Sequence, residues 1–340
     1  MMDKLVVFDN SDLLKFLKIR PNESKFGEYV NLLPPDCNIY EHIENLDVDY
    51  VLVGLPEDIG VFANHGTRGT STTWETTLKS ILNVQKNDFT FPERLLILGY
   101  LNFEKELEKI NLLDRSIDKE LAKSRKIVSK VDKHVSHLIY TIIKAGKTPI
   151  IIGGGQNNSY GNIKGTALAL NAPINVINFD SQTNFRSEEG RHSGNGFTYA
   201  FTEGFLKNYY IFGLHESYIT NTILKTIEKL NHIEYSSYES MEITQSSSFK
   251  KEIKNGLSFI EGKPFGIEID CNAIENISSN TMSSSGFSIK KARQFTHFFG
   301  KQENATYLHI CEAAPTESNA DQIGKLITYL ITDFMQAHLK

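Results

Sequence analysis

The sequence predicts an α/β protein with three layers, α/β/α, built on a doubly wound, mostly parallel sheet. Two observations predict this class. Short β-branched segments alternate with helical patterns along the chain, as at 148–152 and 174–179, and such alternation is typical of parallel sheets covered by helices. These segments are apolar throughout, which is typical of strands that are buried on both faces.

The remaining elements follow from the same patterns. Apolar strands are predicted at 50–55, 95–98, 210–213, 233–235, 265–269 and 307–310. Helices are predicted at 71–84, 117–145, 217–230, 239–256, 288–299 and 320–338. Trp74, Leu78 and Ile81 have helical spacing in the first of these. Gly146 ends the longest pattern, as a C-terminal glycine does.

We expect two parts in the chain. Residues 1–45 contain several prolines and only short apolar pieces, so we expect an N-terminal extension that packs on the main domain. Residues 46–340 have the length and the apolar content for a single large α/β domain.

Composition excludes several classes of partner. The formal net charge of -5 gives no electrostatic reason to expect nucleic acid or an anionic membrane. No apolar run approaches the ~20 residues of a membrane span. The three cysteines, Cys37, Cys271 and Cys311, are scattered and suggest no disulfide framework. Because the N-terminus lacks the pattern of a signal peptide, we expect a cytoplasmic protein.

Three of the predicted strands end in small and polar residues. The first delivers Gly153, Gly154, Gly155 and Gln156; the second delivers the run from Asp180 to Asn184. The third ends in Asp270, Cys271 and Asn272. Ligands bind at the carboxyl ends of strands in open α/β sheets, so these ends are predicted to form one site.

The motifs resemble those of the arginase, agmatinase and formimidoylglutamase family, the ureohydrolases. Members read GGGH, DAHxD and DxD where this chain reads GGGQ, DSQTN and DCN. The flanks NHGTRGT, RHSGNGF and ICEAAP also match, and the motif flanks most resemble those of the formimidoylglutamase branch. The resemblance extends from about Val51 to the C-terminal helix, and it implies the arginase-like fold and a pair of manganese ions.

At the six positions that bind metal in the family, this chain differs at four. Asp180 and Asp270 are retained, whereas the other four positions hold Gln156, Gln182, Asn184 and Asn272. Two dications need anionic oxygens and imidazoles, and neutral amides are poor substitutes. Asn184 also stands where the family has the aspartate that deprotonates the nucleophile. We therefore expect no functional catalytic residue and no cofactor, with at most weak binding of one divalent cation.

The four amides keep the approximate size and the hydrogen-bonding capacity of the residues that they replace, but they remove the affinity for metal. The NH₂ groups of the four amides are donors, and we expect them to hold the carboxylates of Asp180 and Asp270, which would otherwise be buried without partners at a cost of a few kcal/mol.

Five further residues match the substrate-binding positions of the family. Glu312 stands where the family binds the guanidinium or formimino group, although a buried glutamate that caps a loop explains it equally well. The others are Arg191, His192, Ser193 and Asn195. The SGNG segment is also ordinary turn chemistry. Arg186 and Arg191 are expected to flank the pocket mouth, where they either bind a substrate carboxylate or pair with Glu188 and Glu189.

Three hypotheses for function remain. The first is a catalytically inactive pseudoenzyme that binds a small guanidino or formimino ligand or a partner protein. The second is an active hydrolase of linear amidine C–N bonds that uses an atypical or single metal. The third is a structural subunit of an oligomer, since the resemblance implies a trimer or hexamer. In the first hypothesis, the alternative to such a homo-oligomer is a hetero-oligomer with an active paralogue. The sequence favours the first.

Overall fold

The computed structural model describes residues 4–34 and 37–339. Its centre is a nine-stranded sheet in the order β1-β3-β2-β4-β9-β8-β5-β6-β7. Only β1 runs antiparallel to its neighbour, and the other paired strands are parallel. The strands are β1 (Leu5–Val7), β2 (Tyr50–Gly54), β3 (Leu95–Leu101), β4 (Thr148–Ile152), β5 (Ile174–Phe179), β6 (Leu206–Leu214), β7 (Ile233–Ser237), β8 (Phe265–Asp270) and β9 (Ala305–Cys311).

Helices of the described chain lie between these strands. They are α1 (Asn10–Phe16), α2 (Ile39–Asn45), α3 (Ile59–Ala63), α4 (Thr73–Ile81), α5 (Glu104–Asn111), α6 (Asp118–Lys144), α7 (Asn158–Leu170), α8 (Gly196–Thr202), α9 (Asn221–Lys229), α10 (Phe249–Ile260), α11 (Ile289–Gly300) and α12 (Ala320–His338). No helix of the described residues is long and apolar enough to cross a membrane.

Two hydrophobic cores sandwich the sheet, which confirms the three-layer α/β prediction. Successive residues of β2 show the alternation, because Tyr50 and Leu52 belong to one core and Val51 and Val53 to the other. The first core includes side chains from α4, α10, α11 and α12. The second includes side chains from α3, α6, α7 and α9. A strand that is buried on both faces has a continuous run of apolar residues, and this pattern predicted the strands from the sequence.

The structure differs from the predicted elements in several places, and the short helices α1, α2, α3, α5 and α8 were not predicted. The pattern at 239–256 predicted one helix, but the chain forms a π-turn at Glu239–Ile243 and begins α10 at Phe249. Ser248 interrupts the segment by capping α10, where its side chain accepts a hydrogen bond from Lys251 N. Helix α7 was not predicted because its glycines and asparagines hide the apolar period. Near the N-terminus, Leu5–Val7 adds an antiparallel edge strand to β3.

The order of the strands in the sheet indicates where the predicted site lies. Strands β4, β9, β8 and β5 are consecutive neighbours. Strands β2 and β3 lie beyond β4, and β6 and β7 lie beyond β5, so the strand order reverses across this central group. Ligands bind outside the carboxyl ends of strands at such a reversal.

Candidate functional site at four strand ends

The turn after β4 is held by glycine geometry. Gly153 and Gly154 have φ of 90° and 73°, a region that side chains rarely adopt. A Cβ on Gly154 would lie 2.3 Å from Asn158 Nδ2. The turn therefore depends on glycine, and it directs the buried side chain of Gln156 toward the ends of β5 and β8.

Asp180 follows β5 and accepts three hydrogen bonds. Its Oδ1 accepts from Gln182 N at 2.8 Å. Its Oδ2 accepts from Asn184 Nδ2 at 2.7 Å and from Asn178 Nδ2 at 2.9 Å. Asn184 has φ of 44°, a left-handed conformation that Asn tolerates better than most residues. Two amides and one backbone N–H therefore surround this carboxylate.

The amide of Gln156 lies between the two retained carboxylates. With its nitrogen turned toward them, it lies 2.9 Å from Asp180 Oδ2 and 2.7 Å from Asp270 Oδ2. In the opposite orientation its nitrogen donates to Asn178 Oδ1 at 3.0 Å, and its oxygen accepts from Asn184. In both orientations the end of this side chain fills the space that separates Asp180 from Asp270.

Asp270 is held mainly by the residues that follow it. Its Oδ1 accepts from Asn272 N at 2.7 Å. The side-chain oxygen of Asn272 accepts from Thr281 Oγ at 2.7 Å, which ties the loop after β8 to the site. The side chain of Gln182, in contrast, points into a neighbouring cavity. The four amides are therefore used differently, and Gln156 and Asn184 form the direct network.

Burial dominates the electrostatics of this cluster. It raises the pKa of Asp180 to about 7, although hydrogen bonds from Gln182, Asn178 and Asn184 oppose the rise. Burial also raises the pKa of Asp270, and the charges of Asp180 and Glu312 add to the rise. Clusters of perturbed carboxyl groups of this kind are common at functional sites.

Glu312 stands at the end of β9 in a strained conformation. Its φ is 62°, which costs a non-glycine residue about 1 kcal/mol or more. Oε1 accepts from Gln156 N at 2.7 Å, while Oε2 is buried and has no hydrogen-bond partner among the described residues. Burial raises the pKa of Glu312 to about 8. The strained backbone therefore presents one unpaired buried oxygen to the site.

Glu57 is a site residue that sequence reasoning missed. It follows β2 and is fully buried. Its carboxylate accepts from Asn158 Nδ2 at 2.6 Å, Asn157 Nδ2 at 3.1 Å and Ile59 N at 2.7 Å. It thereby fixes the turn that carries Gln156. The signal was an acidic residue two positions after another predicted strand, 50–55.

The segment around His192 is organised by its own hydrogen bonds. His192 Nδ1 accepts from Gly194 N at 3.1 Å, so its Nε2 donates to Glu189 Oε1 at 3.2 Å. Burial, and then the charges of nearby arginines, lower the pKa of His192 to about 3. Ser193 Oγ accepts from Asn64. Asn195 Nδ2 donates to the carbonyls of residues 187 and 190.

Arg191 does not lie at the pocket mouth, which corrects the expectation for this residue. It is 4% exposed and pairs with Asp132 of α6 at 2.9 and 3.2 Å. Its other donors bind Asn195 Oδ1, Asn157 O and His192 O. All five N–H groups are used, so none is left for a substrate carboxylate. Arg186 is at the surface, where it pairs with Glu189.

A second polar layer, also missed, lies one pleat below the carboxylates. Glu268 and His309 are directly opposed on β8 and β9, with Glu268 Oε2 and His309 Nδ1 2.5 Å apart. Glu268 also accepts from Tyr307 and Ser159. Ligand atoms of Glu268, His309 and Cys311 lie within 4.8 Å of one another. All three residues are fully buried, and the hydrogen bonds of Glu268 identify a structural network.

A cavity of about 750 Å³ opens beside the site. Gln182 and Asn184 form its inner end, and Arg186, Tyr218 and several threonines form its walls. The volume suits a small organic molecule, and polar side chains predominate at the end nearest the carboxylates.

This fold and this arrangement of strand-end residues identify the class of protein. The model of the Arginase family matches residues 48–336, and the chain belongs to that family.

The curated relatives it matches are formimidoylglutamases. One from Hahella chejuensis is 27% identical over 197 residues, covering 55% of this chain and 53% of the relative. One from Streptococcus gordonii is 24% identical over 227 residues, covering 64% of this chain and 61% of the relative. The chain thus spans about half to three fifths of their lengths.

Solved structures share the fold over nearly the whole chain. Formimidoylglutamase from Bacillus subtilis has a TM-score of 0.73 at 16% identity, covering 97% of this chain and 98% of that one. Trypanosoma cruzi formiminoglutamase with manganese has a TM-score of 0.69 at 17% identity, covering 93% and 98%. At these identities the likeness shows the fold alone.

Proposed function

We propose that this protein is a pseudoenzyme of the arginase family, which has given up the two manganese ions and acts by binding a ligand or a partner. The proposal rests on the position of the Gln156 amide, which contacts both retained carboxylates. A side chain in that position competes with any metal for the same oxygens.

The residues present do not fit a pair of divalent ions. Only Asp180 and Asp270 of the six family positions can carry a negative charge, so at most two negative charges would face four positive ones. Asn184 donates a hydrogen bond to Asp180 Oδ2, and its NH₂ group is a donor that repels a cation. Gln156 and Gln182 offer amide oxygens in place of imidazole nitrogens, which suit manganese less well.

Manganese should stabilise the wild-type protein very little. A metal that binds the native state raises the melting temperature through linkage. We expect a shift of no more than about 1 °C at tenfold excess manganese, because the carboxylates are already held by amides. A rise of many degrees at micromolar manganese would favour the alternative, a hydrolase with an atypical or single metal.

The site retains one feature that suits a cationic ligand. Glu312 presents a buried oxygen that has no hydrogen-bond partner in the part of the chain that the structure describes, and leaving such an oxygen unpaired costs about 1–3 kcal/mol. A planar group that carries several N–H donors, such as a guanidino or formimino group, would satisfy it. We therefore propose a guanidino or formimino amino acid as the ligand, with its far end in the cavity beside Gln182.

Calorimetry with N-formimino-glutamate and with arginine tests this ligand. Binding should be weak, with a dissociation constant in the micromolar to millimolar range, roughly -4 to -8 kcal/mol. A cationic ligand favours the ionised form of Glu312. Glu312→Gln should therefore weaken binding about tenfold or more, because the charge-assisted bonds to that carboxylate are lost. Equal binding by the variant and the wild type, or none by either, removes this ligand from the proposal.

The proposal also covers the oligomeric state and the cellular location of the protein. We propose a cytoplasmic oligomer, either a trimer or hexamer of this chain or a complex with an active paralogue. The support is family membership alone, and light scattering of the purified protein, with and without a paralogue, measures it directly.

A further inference from the structure

A second cavity lies away from the strand ends, between the outer surfaces of α6 and α7. Its volume is about 540 Å³, within the range of small-molecule sites. The two helices approach closely at Gly161 and Gly165, where an added Cβ would lie 2.6 Å from Val135 and 2.5 Å from Ser136 O. This close approach leaves the longer side chains of both helices to form the walls.

The floor of the cavity is rigid and already neutral. It contains the buried pair of Arg191 and Asp132, both 4% exposed at the side chain. The guanidinium lies 4.9 Å from the ring centroid of Tyr160 and 5.1 Å from that of Tyr199. Because the charge is paired and all five donors are used, the floor offers aromatic surface and no free charge.

On one wall of the cavity the charges also cancel. Lys164 Nζ contacts Glu203 Oε2 at 3.0 Å and Tyr160 Oη at 2.8 Å, and Tyr160 donates to the same Glu203 oxygen at 2.8 Å. Leu168, 46% exposed, and Tyr140, 36% exposed, add apolar surface. Burial lowers the pKa of His137, which keeps this group uncharged near neutral pH.

Lys133 supplies the remaining charge. The other charged side chains that line the cavity are paired, Arg191 with Asp132 and Lys164 with Glu203. Lys133 has no ion-pair partner among the described residues. A ligand that matches these walls combines a planar apolar body with one negative group. The body would cover Tyr140, Tyr160 and Leu168, and the negative group would reach Lys133.

We propose that the cavity between α6 and α7 is a binding site for a small aromatic carboxylate, separate from the site at the strand ends. Arg191 connects the two sites, since its guanidinium donates to Asn157 O at 2.8 Å, one residue after Gln156. A ligand on this floor therefore contacts the residue that supports the turn after β4.

Titration of the full-length protein with 1-naphthoate tests the site. We expect saturable one-site binding by calorimetry, and about tenfold weaker binding of the neutral 1-naphthamide, equivalent to a loss of ~1.4 kcal/mol. Lys133→Glu should weaken naphthoate binding by at least about tenfold. Lys130→Glu is the matched control, because it makes the same charge change on the exposed face of the same helix, and it should leave binding unchanged.

A second pair of variants tests the apolar wall. Leu168→Ser should weaken binding of both compounds, whereas Leu170→Ser, at the end of the same helix and outside the cavity lining, should not. No saturable binding, or equal effects of Lys133→Glu and Lys130→Glu, overturns the proposal. Circular dichroism of each variant separates lost binding from lost folding.

Discussion

At the scale of single residues, the proposed loss of metal rests on four amides at the positions where the family resemblance implies metal ligands. Asn and Gln keep the approximate shape of Asp and His, but their NH₂ groups turn an anion-rich centre into a set of donors. Asn184 donates to Asp180 at 2.7 Å, and Gln156 contacts both carboxylates. Without such donors the buried carboxylates would each cost several kcal/mol more to bury as ions.

The buried carboxyl groups should make stability fall as pH rises. Glu312 has a folded-state pKa of about 8 against an ordinary value of 4.5, and Asp180 one of about 7 against 3.8. An acid with a raised folded pKa favours the folded state at low pH, and this contribution is lost as pH rises through the folded pKa. His192 has the opposite sign, because its folded pKa is about 3, but its effect is confined to pH below about 6.5.

Between pH 6.5 and 8, therefore, the carboxyl groups should dominate. We expect Glu312→Gln to flatten the fall in unfolding free energy over this window by about 1 kcal/mol. Urea denaturation at several pH values measures it. An identical slope in the variant and the wild type would show that Glu312 is already ionised in the folded protein at pH 6.5.

At the scale of elements, three strand ends carry the central residues of the site, and the segment 191–195 supports them. The turn after β4 places Gln156, the end of β5 places Asp180, and the end of β8 places Asp270. The segment 191–195 packs behind this group through Arg191, whose buried pair with Asp132 joins it to α6. This pair makes the segment part of the scaffold.

Breaking that pair should cost more than any surface change nearby. We expect Arg191→Met to destabilise the fold by about 3–5 kcal/mol, because it leaves Asp132 buried and unpaired. Adding Asp132→Leu should recover part of this loss, since no charge then remains to be paired. Arg186→Met is the control, because Arg186 is at the surface and should change stability by less than about 0.5 kcal/mol. Urea denaturation of the wild type, Arg191→Met, Asp132→Leu, the double variant and Arg186→Met gives the answer, and additive effects of the two single changes at the pair would contradict it.

The sequence predicts the central elements well, for reasons that are specific to each. Strands such as β2 and β5 are buried on both faces and read as apolar runs, and α6 is long enough for its period to be clear. Helix α7 escaped prediction because it packs through Gly161 and Gly165 against α6, so its buried face is small and polar. The role of Arg191 also escaped, since its partner Asp132 lies 59 residues away in the chain and no local pattern connects them.

At the scale of the whole molecule, the chain has the family fold, and we propose that the change is confined to its centre. The sheet order and both cores are complete in the described chain, so we propose that the changes at the four amide positions are local. If so, reversing them should restore metal binding. The proposed variant combines Gln156→His, Gln182→His, Asn184→Asp and Asn272→Asp.

This variant should be less stable than the wild type without metal. Four carboxylates would then face one another without counter-charge, which raises their pKa values and costs stability. Manganese should recover the loss through linkage. If the variant binds no manganese even when the metal is in excess, then residues beyond these four, such as those that support the ligands, have changed as well.

The central claim is tested most directly by the manganese content of the wild-type protein and of the four-residue variant. Both are loaded with manganese, dialysed and measured by elemental analysis. We expect the wild-type protein to retain well below one ion per chain and the variant to retain manganese detectably, because its six family-type ligands stand on unchanged strand ends. Near-stoichiometric manganese in the wild-type protein would contradict the proposal that the site has lost its metals.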